Sequence, residues 1–286
     1  MSDFGGFAAD GHGLVFSAWP DESLTDAPEE YPQRLFASSL SGQVTELYST
    51  DSMISSLVAD EKNAYFSTLI SGTQLLSVPR AGGAPTVLIE DGVRTGPITD
   101  GTRLYVEMFV DGDPAIVAVD RSGGATDVIT TWPDKYIASF AIEAGALYVL
   151  ISDGFDVETD HTLYKVPIAG GAAEVFATVP RSAGGGLDVV DGVVYSRLLS
   201  ESYDVVVYRI ERGRPPVLVS EEGGLPMVFD GDAVYYPEVG RLTKNNLSFN
   251  DAKEVPGAAG RLPSAIAVGP TDLWYASYAC IYRAPK

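Results

Sequence analysis

The sequence predicts an all-β, seven-bladed propeller in one domain, with a last blade that lacks its outermost strand within this chain. Three observations carry the prediction. First, a short apolar stretch, an acidic or glycine turn and an apolar–aromatic run recur seven times. The matching positions Val15, Tyr65, Tyr105, Tyr148, Tyr195, Tyr235 and Trp274 are spaced by 50, 40, 43, 47, 40 and 39 residues. A period of about 43 residues is that of a four-stranded blade. Second, 30 Gly and 18 Pro in 286 residues suit many short elements joined by tight turns. Third, no segment sustains the 3.6-residue apolar period of a helix.

Each unit is read as strands A to D from the inside outward. The first (4–50) pairs FAADGHGLVFSA with the outer hairpin RLFASSLSGQVTELYS. The second (54–91) pairs LVADEKNAYFST with QLLSVPRAGGAPTVLIE, and the third (95–132) pairs PITDGTRLYVEM with AIVAVDRSGGATDVIT. The fourth (136–180) pairs FAIEAGALYVLI with TLYKVPIAGGAAEVFAT, and the fifth (184–222) pairs LDVVDGVVYSRL with VVVYRIERGRPPVLVSE. Each outer hairpin alternates apolar and polar residues about a glycine-containing turn. Asp-Gly turns at Asp100, Asp191 and Asp230 join inner strands. The sixth unit (224–258) begins MVFDGDAVYYPE and has a shorter, more polar outer pair; the seventh (262–286) contains IAVGPTDLWYAS and stops at IYRAPK, its strand C. Only Met1 to Asp3 precede the first strand A, too little to complete that blade. Either the last blade has three strands or the chain is trimmed at one end, and an unpaired edge is prone to association.

Composition narrows the function. Lys+Arg number 19 against 39 Asp+Glu, a formal charge of −20. Such a surface repels phosphate backbones and anionic membranes. No apolar run reaches the roughly 18 residues that span a bilayer, and MSDFGGFAAD lacks the basic and apolar regions of a signal peptide. Cys280 is the single cysteine, so no disulfide framework or cysteine zinc site is expected. His12 and His161 are the only histidines, which makes histidine-based triads improbable.

Units such as LVADEKNAYFSTLISGTQLLSVPRAGGAPTVLIEDG resemble bacterial propeller repeats related to the YWTD, NHL and TolB-type blades. The aromatic pairs are Tyr65-Phe66, Tyr105-Val106, Tyr148-Val149, Tyr235-Tyr236 and Trp274-Tyr275. The turns are Gly82-Gly83, Gly123-Gly124 and Gly170-Gly171. The resemblance covers almost the whole chain and departs from the strict YWTD motif at every repeat. It implies the fold; its members include adhesion modules, periplasmic scaffolds and some enzymes, so it implies no one activity.

In a propeller the inter-blade and B-to-C loops share one face, where a site is expected. Four scarce cations fall in inter-blade loops: Arg94, Lys135, Arg181 and Arg261, with Trp132 and Tyr136 in the same loops. Converging cations and aromatic surface suit a carboxylate, a sulfated sugar or an acidic peptide side chain; alternatively they offset nearby carboxylates such as Asp91, Asp134, Glu221 and Glu222. Two B-to-C loops are acidic: one holds Asp21, Glu22, Asp26, Glu29 and Glu30, the other Asp153, Asp156, Glu158 and Asp160. The second is a calcium candidate by carboxylate spacing, although it lacks the glycine and final glutamate of an EF-hand loop; a solvated acidic loop is the competing reading. Asp188 is the acidic residue inside a strand A, read as binding backbone amides between blades, with a general base as the alternative. His12 is expected on the surface, Cys280 buried, and the aromatic series from Tyr65 to Trp274 between blades.

No G-x-S-x-G, P-loop or strand–G-x-G-x-x-G–helix motif is present. The expected function is a non-catalytic recognition or scaffold module, binding a protein, peptide or glycan on the loop face, with no cofactor unless calcium. The alternatives are a lyase or hydrolase working at the central channel, and a structural module of a larger surface protein. The composition is read as that of an exported protein, extracellular or periplasmic with its signal removed, with a cytoplasmic home as the alternative.

Overall fold

The computed structural model describes residues 4–18, 32–69, 73–153, 160–180, 185–199, 205–223, 226–238, 241–261, 263–277 and 280–286. They form seven antiparallel sheets and no helix. Strands A to D are Phe4–Asp10, Gly13–Ala18, Gln33–Ser39 and Val44–Thr50 in blade 1, and Met53–Ala59, Asn63–Leu69, Leu75–Pro79 and Thr86–Ile89 in blade 2. Blade 3 holds Val93–Thr99, Arg103–Val110, Asp113–Asp120 and Thr126–Thr131; blade 4 holds Tyr136–Glu143, Ala146–Ser152, His161–Pro167 and Glu174–Val179. Blade 5 holds Gly185–Val190, Val193–Leu199, Val205–Ile210 and Val217–Gly223; blade 6 holds Val228–Asp230, Ala233–Glu238, Arg241–Asn246 and Lys253–Glu254. Blade 7 has three strands, Ala265–Val268, Asp272–Ser277 and Cys280–Pro285.

Each strand A lies against the next, and that of blade 1 lies against that of blade 7, so the seven sheets close into a ring. Strand B is buried because it is flanked by strands A and C and covered by both neighbouring blades. Tyr65, Tyr105, Tyr148, Tyr195 and Tyr235 are at most 2% exposed and Trp274 is 5% exposed, the inter-blade packing that the repeat predicts. The clusters confirm this: Tyr65 packs with Leu75, Val93 and Leu104, drawn from blades 2 and 3. The core is therefore a set of seams between blades.

Strand D carries a feature that the repeat did not signal. In blades 1 to 4 its pairing with strand C slips once by one residue, and in blade 5 it slips twice, once at Val219. The extra residue is Leu47, Leu88, Ile129, Phe176 or Val219, each packed in a core cluster. A bulge turns one added side chain inward and increases the twist of the outer strand. Cys280 corrects an expectation: its position opens the outer strand of a three-stranded sheet, so it is exposed.

Candidate functional site

At the A-to-B turns, a carboxylate holds its own turn and reaches the next blade. Asp60 Oδ1 accepts from the amides of Lys62 and Asn63, both at 2.9 Å. Its Oδ2 accepts from Tyr65 Oη at 2.8 Å and from Arg121 Nη1 of blade 3 at 3.0 Å. Arg80 of blade 2 pairs with Asp10 of blade 1 in the same way, and Lys286 of blade 7 lies 2.6 Å from Asp230 of blade 6. Between blades 4 and 5, Glu143 accepts from the amides of Asp191 and Gly192, both at 2.7 Å. The arginines stand in the short sequences VPRAGG and VDRSGG, a signal the sequence reading passed over; blade 4 has Ile168 at that place.

Nearer the B-to-C loops, a second polar level uses the strand B position two residues beyond the first aromatic. Ser17 Oγ accepts from the Gly6 amide at 2.7 Å and from Gln33 Nε2 at 3.2 Å; Gln33 Oε1 in turn accepts from the Ile54 amide of blade 2. Ser67 donates to the Gly96 carbonyl of blade 3. In blades 3 and 5 the position is charged. Glu107 lies 3.1 Å from Arg94 Nη1 and accepts from Thr95 Oγ1 at 2.8 Å. Arg197 Nη2 lies 2.8 Å from Asp188 Oδ2, while its Nη1 donates to the Met227 carbonyl of blade 6 at 3.0 Å. The two blades thus carry the same ion pair with the charges exchanged between strands A and B.

Burial pushes the Glu107 carboxyl up, with the Thr95 hydroxyl and the Arg94 guanidinium pulling it back. It also pushes Asp188 up against the pull of Arg197. Asp188 is enclosed by protein on most sides, yet about a quarter of its side chain (27%) still meets solvent. It therefore answers to a guanidinium, not to the inter-blade backbone amides that the sequence suggested. The geometry also explains Gly186: a β-carbon there would stand 2.4 Å from Arg197 Nη2, so the third glycine of the 184–186 run gives Arg197 its path over strand A.

The sequence-predicted face separates into distinct arrangements. Arg94 is held between two rings, 4.8 Å from the centroid of Phe109 and 5.3 Å from that of Tyr136. Phe109 is 49% exposed, although in the sequence it looks like one more apolar residue of a strand B run. Lys135 pairs with Asp153, so one expected anion binder and one expected metal ligand neutralise each other at the surface. Arg261 donates to Tyr275 Oη at 3.0 Å and lies 3.7 Å from the centroid of Tyr282, against blade 7 and away from Arg94 in the blade order. Trp132 is a correction: its amide donates to the Pro114 carbonyl, which lengthens strand D, and its ring is buried in the blade 3–4 core beside Tyr164. It offers no surface for a ligand.

Arg181, Asp156 and Glu158 lie outside the described residues, as do Asp21, Glu22, Asp26, Glu29 and Glu30. Among the described residues no group of three or more His, Cys, Asp or Glu side chains is arranged to hold a metal. His161 opens strand C of blade 4 and is buried; burial lowers its imidazole against the opposing pull of Asp160.

No protein-family model and no curated protein matches the chain. Solved structures match it in fold. The β-propeller domain of the trilobed protease from Pyrococcus furiosus, whose topology is described as open velcro, is 14% identical with a TM-score of 0.66, over 99% of this chain and 95% of that one. A chain of the nidogen/laminin complex is 13% identical with a TM-score of 0.54, over 89% of this chain and 92% of that one. A puromycin-hydrolyzing peptidase of Mycobacterium tuberculosis is 15% identical with a TM-score of 0.69, and the acylaminoacyl peptidase of Pyrococcus horikoshii is 12% identical with a TM-score of 0.68; each match covers 99% of this chain and 51% of the peptidase. The chain spans about half the length of these peptidases. At such identities the likeness establishes the seven-bladed propeller and nothing finer.

Proposed function

We propose that the chain is a non-catalytic recognition propeller that binds an acidic segment of a protein or peptide at the blade 3–4 crown. The observation that carries the reading is the Phe109–Arg94–Tyr136 arrangement. A large ring stands half exposed beside a guanidinium that is itself 28% exposed. Arg94 is fixed by Glu107 and by the two rings, so it meets a ligand carboxylate with little ordering cost, and aromatic and arginine side chains are the usual anchors of interfaces. The nidogen/laminin likeness supports the class only in that a similar fold occurs in a protein complex.

The test is fluorescence anisotropy with a labelled library of acidic peptides and their amidated counterparts. Peptides that bind the intact chain are expected to lose about tenfold or more in affinity when Arg94→Ala and Phe109→Ala are combined. Arg94→Ala also leaves the buried Glu107 unpaired and lowers the melting temperature, so Phe109→Ala alone, a half-exposed side chain, is the variant expected to weaken binding with the melting temperature little changed. Equal binding of the amidated set sinks the reading. A second reading, a propeller module of a larger hydrolase, draws support from the half-length coverage of the two peptidases. It expects the isolated chain to cleave no aminoacyl naphthylamide, and turnover that follows Asp188→Asn would instead place chemistry at the Asp188–Arg197 pair.

A further inference from the structure

Blade 6 has the shortest outer strand of the ring, Lys253–Glu254. Where a full strand would cover the sheet, a cavity of about 520 Å³ opens between strand D of blade 5 and the outer part of blade 6. This volume lies within the range of small-ligand sites, roughly 300–1,000 Å³. Its wall includes Leu218 and Glu221 from blade 5 and Tyr236, Glu238, Asn245 and Phe249 from blade 6, with no lysine or arginine in the lining.

The polar groups of the floor are held in place. Asn245 is buried; its Oδ1 accepts from the amides of Asn246 and Asp251, both at 2.9 Å. Its Nδ2 is thereby aimed at Tyr236 Oη, to which it donates at 3.1 Å. Tyr236 and Phe249 meet with ring centroids 6.0 Å apart. Glu238 receives Arg241, both guanidinium donors, Nε and Nη2, going to the one oxygen Oε2, and the Tyr236 hydroxyl bonds to the same carboxylate. Glu221 is exposed and makes no ion pair with a described residue. The cavity therefore joins two carboxylates to an aromatic floor and an aliphatic wall, on a chain whose net charge is −20.

We propose that this cavity is a second recognition site that takes the guanidinium of an arginine in a peptide or protein partner. Guanidinium is planar, donates to two acceptors at once and lies flat on aromatic faces. The Glu221–Glu238 carboxylates supply acceptors and the partly exposed Phe249 ring, packed on the buried Tyr236, supplies a face of that kind, while Leu218 meets the aliphatic stem. An ammonium satisfies the charge but not the planar stacking, so arginine is preferred over lysine. The proposal is independent of the blade 3–4 crown, which selects the opposite charge.

The experiment titrates the full chain with N-acetyl-argininamide, its uncharged citrulline analogue and N-acetyl-lysinamide, followed by calorimetry and by amide NMR shifts at Leu218–Glu221 and Asn245–Ala252. The expected order is arginine above lysine above citrulline, with citrulline weaker by about tenfold. Combining Glu221→Gln with Glu238→Gln is expected to weaken arginine by about tenfold or more. Glu221→Gln alone, which breaks no contact of the fold, is expected to weaken it by about threefold. Arg94→Ala should change nothing here. Equal affinity for arginine and citrulline, shifts at other residues, or arginine binding unmoved by the double variant would each overturn the proposal.

Discussion

Asp100 uses both oxygens of its carboxylate. Oδ1 accepts from the amides of Thr102 and Arg103 and from the Thr102 hydroxyl at 2.7–2.8 Å, and Oδ2 accepts from Tyr105 Oη at 2.9 Å. Burial alone would raise the carboxyl, but these donors outweigh it and hold it down at about 2, against an ordinary 3.8; burial and the same bond push Tyr105 up to about 12. The folded carboxyl binds a proton less readily than the unfolded one. Its stabilisation is therefore complete above about pH 4 and is lost as pH falls through about 2. Asp100→Ala should lower the melting temperature at pH 6 and narrow the gap to the natural chain as pH drops from 4 to 2. A gap that stays constant over that range would show that the donors stabilise nothing through the charge. This constellation was legible in the sequence as an acidic turn with an aromatic five residues on, because all its members lie within six residues. The pairs Arg94–Glu107 and Asp188–Arg197 were not, because they cross from strand A to strand B and depend on register.

At the scale of the blade, the same logic separates two halves of one clasp. Arg121 joins Asp60 at 3.0 Å and Thr99 Oγ1 at 2.7 Å, and both partners of the ion pair are only about a quarter exposed (22% and 26%). Arg121→Ala removes the inter-blade bond but leaves Asp60 its turn amides and Tyr65, a loss of about 1 kcal/mol. Asp60→Ala strips those amides, the Tyr65 hydroxyl and Arg121 of their acceptor together, a loss of about 2–3 kcal/mol. Urea unfolding of the two variants compares them directly; equal losses would mean that the clasp works through Arg121 alone. The repeat puts four of the scarce cations in inter-blade loops, whereas Arg80 and Arg121 join blades at the opposite end. A period marks where strands recur, and it leaves open which side chains meet across a seam. Bulges escape it for the same reason: Leu47 and Phe176 look like one more alternation until strand C fixes their partners.

The whole ring closes through the seam between blades 7 and 1. No strand is shared there among the described residues, since blade 1 pairs its own four strands and blade 7 its own three. What joins them is the packing of Leu14 and Phe16 on Ala267 and Trp274, and a bond from Arg283 Nη1 to the Leu40 carbonyl at 3.0 Å. Arg283 also pairs with Asp272 at 2.7 Å, and its guanidinium lies 5.5 Å from the Trp274 ring centroid, so one side chain fixes the outer part of the seam. Repeat proteins lose structure first where nearest-neighbour contacts are fewest. Hydrogen exchange should therefore be fastest in the outer edge strands at this seam, Val44–Thr50 of blade 1 and Cys280–Pro285 of blade 7, and slowest in the inner strands of blades 3 and 4, which have full sheets and buried seams on both sides. Arg283→Ala should accelerate exchange on both sides of the 7–1 seam while leaving the blade 3–4 strands unchanged. Acceleration spread evenly over all seven blades would mean that the ring opens as one unit and that this seam is no weaker than the rest.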